Sequence, residues 1–208
     1  MGQYYNILIK NRNGTYTAYD RTVKKDGEKC GYVGAKLTEH SWIGNWTMDS
    51  LSAKIYKNPL RITWVGDYAD QMQEEDITNS SLTIDLVIQL YKHGQNAKTY
   101  KSLDYQDFSY DNKILINHDE RTFIDMNEYI KNSQVYAEWC LHPLSILTAI
   151  GNGYGGGDYD GSDMERVGSW ANDLISFDEK AEEDDLIARG YKRISVKFKE
   201  GYLEEKRG

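Results

Sequence analysis

A cluster of glycines near residue 150 is the feature of this sequence that most directly suggests a site. Six glycines lie within the eleven residues 151–161 (GNGYGGGDYDG). Glycine lowers stability through the large entropy of the unfolded chain, so such a density indicates that the backbone must adopt positive φ or approach another group closely. Candidate ligand contacts in this loop are Asn152, Gly155, Gly156, Asp158 and Tyr159.

Four interpretations of the glycine loop are open. A nest of backbone N–H groups would hold an anionic ligand or substrate. The spacing Gly151-x-Gly153-x-x-Gly156 matches a dinucleotide-binding fingerprint, but no helical pattern follows and Asp160-Gly161 would interrupt one. A packed Ω-loop without any ligand explains the glycines equally well.

The fourth interpretation of the loop is a calcium site. Asp158, Asp160 and Asp163 would supply carboxylates beside backbone carbonyls, but the spacing lacks the third ligand and the distal Glu of an EF-hand.

A second group of polar residues comes just before a predicted helix. Glu39, His40 and Ser41 are consecutive, and Asn45 follows shortly after. Adjacent side chains do not face one another, so a catalytic triad would need partners from elsewhere in the chain. His40 and Asn45 are therefore candidate ligand contacts, and the alternative is a helix-entry loop with Trp42 packed inward.

A third group follows an apolar run at 60–66 (LRITWVG) that predicts a buried strand. Asp67, Tyr68 and Asp70 come directly after it, at a sheet end, where ligands commonly bind. Asp67 and Asp70 would act there as a base or a metal ligand. Asp also ends strands simply by favouring turns, so this interpretation stays open.

Histidines adjoin two further predicted elements. Asn117 and His118 follow a predicted strand, and His142 precedes Pro143. No HxH or HExxH spacing occurs, so we predict no metal site and assign no cofactor. A histidine paired with a carboxylate from another segment would serve as an acid–base couple.

Composition narrows the class of protein. The 33 acidic residues exceed the 25 basic ones, which gives a net charge of −8, and 17 residues are tyrosine. This balance argues against direct binding to nucleic-acid backbones. No apolar stretch is long enough for a membrane span, so we expect no membrane partner. The two cysteines, Cys30 and Cys140, and the absence of a signal-peptide pattern predict a cytoplasmic protein.

The elements that must position these residues are short and mixed. Asn13-Gly14 between 3–10 and 15–23 predicts an N-terminal hairpin. Helices are predicted from Thr47 and from Ser80 or Ser81. The other predictions are a strand within 31–38, an irregular segment at 95–112, a hairpin of 113–117 and 122–126, a short helix capped by Asp125 or Asn127, an apolar helix or strand at 141–150, an acidic helix at 179–189 and a strand at 191–198. We predict a single α+β domain over residues 1–208, with a mixed, mainly antiparallel sheet and a few short helices.

Several segments taken together resemble a family of uncharacterised bacterial and phage-encoded proteins. The segments that carry this resemblance are MGQYY, KLTEHSWIGN, WVGDYAD, INH, HPLSILTAIGNG with GGGDY, and GSWAND. The family has no assigned activity, so the resemblance implies no catalytic residue. Phage or prophage origin implies that the protein acts on a host component, in the cytoplasm of a bacterial cell or an infected host cell.

Two functions follow from these observations, and the sequence does not decide whether the protein is an enzyme. In the first, all the candidate residues converge on one polar pocket for an anionic or nucleotide-like small ligand. In the second, an acidic, tyrosine-rich surface binds a host protein, as in a non-catalytic inhibitor of a host defence complex. Convergence of His118 and Asp158 would favour the pocket, and a contiguous surface of Tyr and Asp would favour the inhibitor.

Overall fold

The strands of the computed structural model, which describes residues 3–32, 36–97, 100–133 and 140–199, form one mixed sheet. The strands are β1 Tyr5–Lys10, β2 Tyr16–Val23, β3 Lys29–Tyr32, β4 Leu60–Gly66, β5 Lys101–Asp104, β6 Lys113–Asn117, β7 Thr122–Asp125, β8 Ala149–Ile150, β9 Leu174–Glu179 and β10 Lys192–Arg193. Their order is β10-β7-β6-β9-β4-β1-β2-β3, with β5 beside β2 and β8 beside β4. Most pairings are antiparallel, which confirms the predicted α+β fold.

The predicted N-terminal hairpin is confirmed. β1 and β2 pair antiparallel with Ile7 opposite Tyr19. The turn closes through the Asn11 N–H, which donates to Thr15 O at 2.7 Å, and Gly14 has a φ of +84° that favours glycine. β3 extends this unit and begins before the predicted segment 31–38. Of that segment, residues 33–35 lie outside the described residues, and Leu37 and Thr38 are helical rather than extended.

Six helices lie within the described residues, and none of them combines the length and apolar character needed to cross a membrane. They are α1 Leu37–His40, α2 Trp46–Ile55, α3 Ile84–Gln95, α4 Met126–Ser133, α5 Pro143–Leu147 and α6 Glu183–Ala188. Short 3-10 turns at Ala69–Gln71 and Glu74–Asp76 connect β4 to α3.

The two faces of the sheet bury different helices. Tyr5, Ile7 and Ile9 of β1 pack into the main apolar cluster with the buried side chains of α2 and α5, and we call this side the α2 face. Leu8 points the other way and packs with Val87 of α3, so we call that side the α3 face. Successive side chains along a strand point to opposite faces of the sheet, so the position of a residue in its strand decides which other side chains it can contact.

The apolar segment 141–150, for which the sequence allowed a helix or a strand, contains one of each, α5 and β8. Two other predicted boundaries are wrong. The predicted strand 191–198 shrinks to β10, and the irregular segment 95–112 contains β5. β5 was missed because only Leu103 of its four residues is buried, so no alternating pattern marks it.

The predicted helix caps also need correction. Asn45, not Thr47, caps α2, since its side chain accepts from the Thr47 N–H at 2.9 Å. Thr83, not Ser80 or Ser81, caps α3. Both helices therefore begin with a side-chain acceptor for a first-turn N–H group, although from a neighbouring residue.

A buried carboxylate anchors the last strand. The Asp125 side chain is 1% exposed and accepts from Lys180 Nζ and, at 2.7 Å, from the Arg193 guanidinium. Its other oxygen accepts the N–H groups of Asn127 and Glu128, which confirms the predicted cap of α4. One carboxylate thus joins β7, α4 and the chain after β9.

We expect Asp125→Ala to lower the free energy of unfolding by about 3 kcal/mol, because it leaves two cations and the α4 N–H groups without their acceptor. Asp185→Ala removes a carboxylate that is 61% exposed and paired with Arg189, and should cost under about 0.5 kcal/mol. Urea denaturation of both variants measures the difference. Equal effects would contradict an anchoring role for Asp125.

Candidate functional site

Asp67 lies at the end of β4, beside the start of β1. The strands pair antiparallel with Tyr5 opposite Gly66, so the residue after β4 meets the residue before β1. The Asp67 N–H donates to Tyr4 O at 2.9 Å, and its carboxylate accepts from the Tyr4 N–H at 3.1 Å. Asp67 is thus held in place at the sheet end where the sequence predicted a site.

The glycine loop reaches the same sheet end through Asp158. The Tyr5 hydroxyl donates to Asp158 Oδ1 at 2.6 Å. Asp158 Oδ2 accepts the N–H groups of Gly153 at 2.7 Å and Gly155 at 3.1 Å. The backbone nest therefore binds a carboxylate of its own loop, and an external anion would have to displace it.

Burial dominates the electrostatics of this contact. It raises the pKa of the Asp158 carboxyl, although the Tyr5 hydroxyl and the loop N–H groups favour the ionised form. Burial, followed by the charge of Asp158, also raises the pKa of the Tyr5 phenol well above its usual value. Tyr5 therefore remains a neutral donor at physiological pH.

Asn152 and Tyr159 close the loop on itself. Asn152 Nδ2 donates to Tyr159 O at 3.0 Å, and the Tyr159 N–H donates to Asn152 Oδ1 at 2.8 Å. The Tyr159 ring is buried and its hydroxyl donates to Ser162 O at 2.5 Å. These two candidate residues hold the loop together in this structure.

The glycines surround Gln3, which is fully buried. The Gln3 N–H donates to Gly156 O at 2.7 Å. A Cβ added at Gly155 would lie 2.6 Å from Gln3 Cβ and 3.0 Å from its backbone nitrogen, and one at Gly66 would overlap the Gln3 amide. Gly151, with a φ of +99°, needs a conformation that other residues adopt at a cost. The glycines therefore serve close packing and backbone geometry, as in an Ω-loop.

A small cavity lies beside the loop, between it and the 3-10 turns that follow β4. Its volume is about 150 Å³. Apolar side chains from both segments form most of its wall. The lining residues are Met72, Asp76, Ile77, Thr78, Leu82, Ala149, Ile150, Gly151, Asn152, Met164, Val167 and Gly168.

The two segments that line the cavity are strongly acidic. Residues 62–91 contain six carboxylates and no Lys, Arg or His, and residues 143–168 contain four carboxylates and one basic residue, Arg166, which lies between the lining residues Met164 and Val167. At the border, Lys36 packs over Gly157 but is paired with Glu39 at 2.6 Å. This part of the molecule therefore carries a net negative charge.

Tyrosines are interleaved with these carboxylates. Tyr4 is 52% exposed, Tyr68 is half-buried beside Asp67, and the Tyr154 hydroxyl donates to Asp76. We call this surface the acidic end. It consists of Asp67, Asp70, Glu74, Glu75, Asp76 and Asp158 together with Tyr4, Tyr68 and Tyr154.

His118 and Asn117 do not join the acidic end. His118 Nε2 lies 2.8 Å from Ser176 Oγ and Nδ1 lies 3.1 Å from the Tyr191 hydroxyl. Tyr191 packs in a separate apolar cluster with Ile114 and Phe123. Asp158 instead contacts Tyr5 and the glycine loop, so the contacts described do not join it to His118. Asn117 caps its own turn, where its Oδ1 accepts the N–H groups of Asp119 and Glu120 at 3.0 Å.

His40 and Asn45 also lie apart from the acidic carboxylates. Asn45 caps α2, as described above. His40 ends α1, and its ring lies 6.5 Å from that of Trp42. The structure thus places both residues in the helix-entry segment that the sequence offered as the alternative.

His142 is completely buried in a chain of hydrogen bonds that resembles a catalytic arrangement. His142 Nε2 lies 3.3 Å from Ser52 Oγ, which lies 3.2 Å from the Tyr110 hydroxyl. Tyr110 donates to Asp49 at 2.8 Å. His142 Nδ1 accepts from the Leu144 N–H at 3.1 Å, so the ring proton is on Nε2 and the imidazole cannot take a proton from Ser52. The chain is therefore structural.

Sequence reasoning missed a buried carboxylate and most of the cavity. Asp173 is 2% exposed and accepts from Asn79 at 3.0 Å and Asn117 at 2.8 Å. Met72 and Leu82 looked like ordinary core residues. Only the excess of carboxylates over basic residues in 62–91 and 143–168 could have pointed to this end of the protein.

Compared with known proteins, the chain matches no family model, no curated protein and no solved structure. Among the described residues, no group of three or more His, Cys, Asp or Glu side chains is arranged to hold a metal ion. The functional conclusion therefore depends on the geometry and charge described above.

We expect Gly155→Ala to lower the free energy of unfolding by about 1–3 kcal/mol, because its Cβ would collide with Gln3. Gly94→Ala is the matched control. Gly94 lies within α3, and a Cβ added there would be 3.6 Å from Val65, an ordinary contact distance. This substitution should therefore leave the free energy of unfolding unchanged or raise it by up to about 1 kcal/mol. Urea denaturation reports both, and a neutral Gly155→Ala would contradict the packing role.

Burial lowers the pKa of His142 to about 3. In the unfolded chain the ring binds a proton below about pH 6.5, whereas in the folded chain it does not. The free energy of unfolding should therefore fall by up to about 1.4 kcal/mol per pH unit as the pH drops below 6.5. In NMR titrations the His142 ring should not change between pH 8 and 5, and a midpoint near 6.5 would overturn this assignment.

Proposed function

We propose that this protein is a non-catalytic binding protein whose acidic end docks a basic protein partner. The observation that carries the proposal is the charge of the two segments around the cavity, 62–91 and 143–168, with ten carboxylates and one basic residue, Arg166. Such a surface attracts a basic partner and repels an anionic one. The tyrosines interleaved with these carboxylates support the second of the two functions considered from the sequence.

The first of those functions receives less support. The N–H groups of the glycine loop already bind Asp158, at 2.7 Å from Gly153 and 3.1 Å from Gly155. Ligand pockets for small molecules usually enclose about 300–1,000 Å³. The cavity of about 150 Å³ is too small for a nucleotide.

Larger depressions exist, but they do not contain the candidate residues. One of about 1000 Å³ lies between 23–26 and 104–107 and mixes Lys24 and Lys25 with Asp26, Asp104 and Asp107. The two lysines offset two of the three aspartates, so it offers a weaker field for a charged partner than the acidic end.

Tyrosine makes the acidic end suitable for protein contacts. Exposed Tyr4 and half-buried Tyr68 and Tyr154 offer large contact areas with few rotatable bonds, which lowers the entropy lost on binding. Carboxylates around them steer a basic partner and accept hydrogen bonds from it.

The resemblance to bacterial and phage-encoded proteins suggests which partner this is. We propose a basic protein of a bacterial host, within a defence complex that the binding inhibits, and a cytoplasmic site of action. A complex that acts on nucleic acid would carry the required basic surface, because it binds phosphates.

To test the proposal, we would immobilise the wild-type protein and the double variant E74Q/E75Q and incubate each with a bacterial lysate. We expect one stoichiometric partner, recovered about fivefold less well by the variant, since each exposed charge contributes about 0.5 kcal/mol. Raising the ionic strength from about 0.05 to 0.5 M should release the partner.

The matched control is E182Q/D184N. It removes two exposed carboxylates, that of Glu182 just before α6 and that of Asp184 within α6, so the two double variants have the same net charge. It should recover the partner as the wild type does. Equal losses in both variants, salt-resistant recovery, or no stoichiometric partner would reject the proposal.

A further inference from the structure

The cavity at the acidic end combines an apolar wall with an acidic border. Met72, Ile77 and Leu82 line it from the segment after β4, and Ile150 and Val167 line it from the glycine-loop side. Asp76 belongs to the same lining, and Glu74 and Glu75 precede it in one 3-10 turn. Apolar and anionic groups therefore meet at one opening.

We propose that this cavity binds a single apolar side chain of leucine size, presented by a Lys- or Arg-rich segment of the partner. The inference rests on the proposed function and specifies what the partner carries. A free cation would leave the apolar wall unused, and a free apolar molecule would leave the carboxylates unused. A basic segment with one apolar anchor uses both.

The volume fits one side chain. An apolar cavity of about 150 Å³ accepts a molecule as large as benzene, which is similar in size to a leucine side chain. Filled pockets of this kind, with a surrounding polar border, contribute a large share of the affinity of protein interfaces.

The cavity is largely preformed. The Thr78 hydroxyl donates to Val167 O at 2.6 Å, which joins its two walls. The Gly168 N–H donates to Ile146 O at 3.0 Å, and Gly168 has a φ of +74°. A further hydrogen bond, from the Tyr154 hydroxyl to Asp76, joins the glycine loop to the 3-10 turn Glu74–Asp76. A preformed pocket loses little entropy when it is filled.

Its border is accessible. Met164 is 39% exposed and lines the cavity, and the exposed Glu165 follows it. A partner segment that inserts its anchor residue would thus place flanking residues near Glu165 on one side and Glu74 and Glu75 on the other. Flanking Lys or Arg would find the carboxylates of Glu74 and Glu75 on one side, whereas on the other side Arg166 follows Glu165 and reduces the local negative charge.

Methyl NMR of the full-length protein tests the proposal, because its methionines report on both faces of the sheet. Met72 and Met164 line the cavity, whereas Met48 and Met126 are buried on the α2 face. The probes are three acetylated, amidated pentapeptides of sequences KKLKK, KKAKK and SSLSS.

We expect KKLKK to shift the Met72 and Met164 signals and to leave those of Met48 and Met126 unchanged. KKAKK should bind at least about tenfold more weakly, since the alanine buries less apolar surface. SSLSS should also bind at least about fivefold more weakly, since it lacks the charges. Met164→Ala, which changes an exposed border residue, should weaken KKLKK severalfold and leave KKAKK unaffected.

The outcomes separate this inference from the proposed function. Equal binding of KKLKK and KKAKK, lost in E74Q/E75Q, would reject the anchor and retain the acidic docking surface. Equal binding of KKLKK and SSLSS at Met72 would retain the cavity and reject the role of charge. Shifts confined to Met48 or Met126, or no binding by any peptide, would reject the anchor site.

Discussion

The hydrogen bond from the Tyr5 hydroxyl to Asp158 joins residues 153 positions apart, and the whole acidic end depends on it. It fixes the glycine loop against the first strand, and Asp158 in turn orders the loop by accepting the N–H groups of Gly153 and Gly155. The donor is a neutral phenol. An arginine in its place would have cancelled the charge of Asp158, whereas tyrosine satisfies the carboxylate and leaves its field intact.

Hydrogen bonds between a tyrosine hydroxyl and a carboxylate recur through the protein and account for part of its high tyrosine content. Tyrosine hydroxyls donate to carboxylates at several places, among them the pairs Tyr5–Asp158, Tyr56–Glu179, Tyr105–Asp107, Tyr110–Asp49 and Tyr154–Asp76. Hydrogen bonds to charged groups are stronger than those between neutral groups. Two of these carboxylates, Asp49 and Asp158, are buried or half-buried, so a phenol satisfies them where the protein places no cation.

Local signals in the sequence predicted local structure. Asn13-Gly14 predicted the hairpin, and the apolar run before Asp67 predicted β4 and placed that residue at a sheet end. The pairing of distant strands was not predictable, so His118 was grouped with Asp158 although its ring contacts Ser176 and Tyr191 instead. The cavity was hidden for another reason. Its walls, such as Met72 and Leu82, are apolar residues that any core would contain, and only the tertiary fold leaves space between them.

The pairing of β4 has a consequence for how the chain reaches this fold. One edge of β4 is covered by β1, which precedes it, whereas the other edge is shared by β8 and β9, which begin at Ala149 and Leu174. During synthesis on the ribosome, that edge stays open until more than 80 further residues have emerged. Pairings between such distant segments form slowly, and an open strand edge recruits other chains. The nascent protein therefore passes through a stage in which its central strand has one unpaired edge.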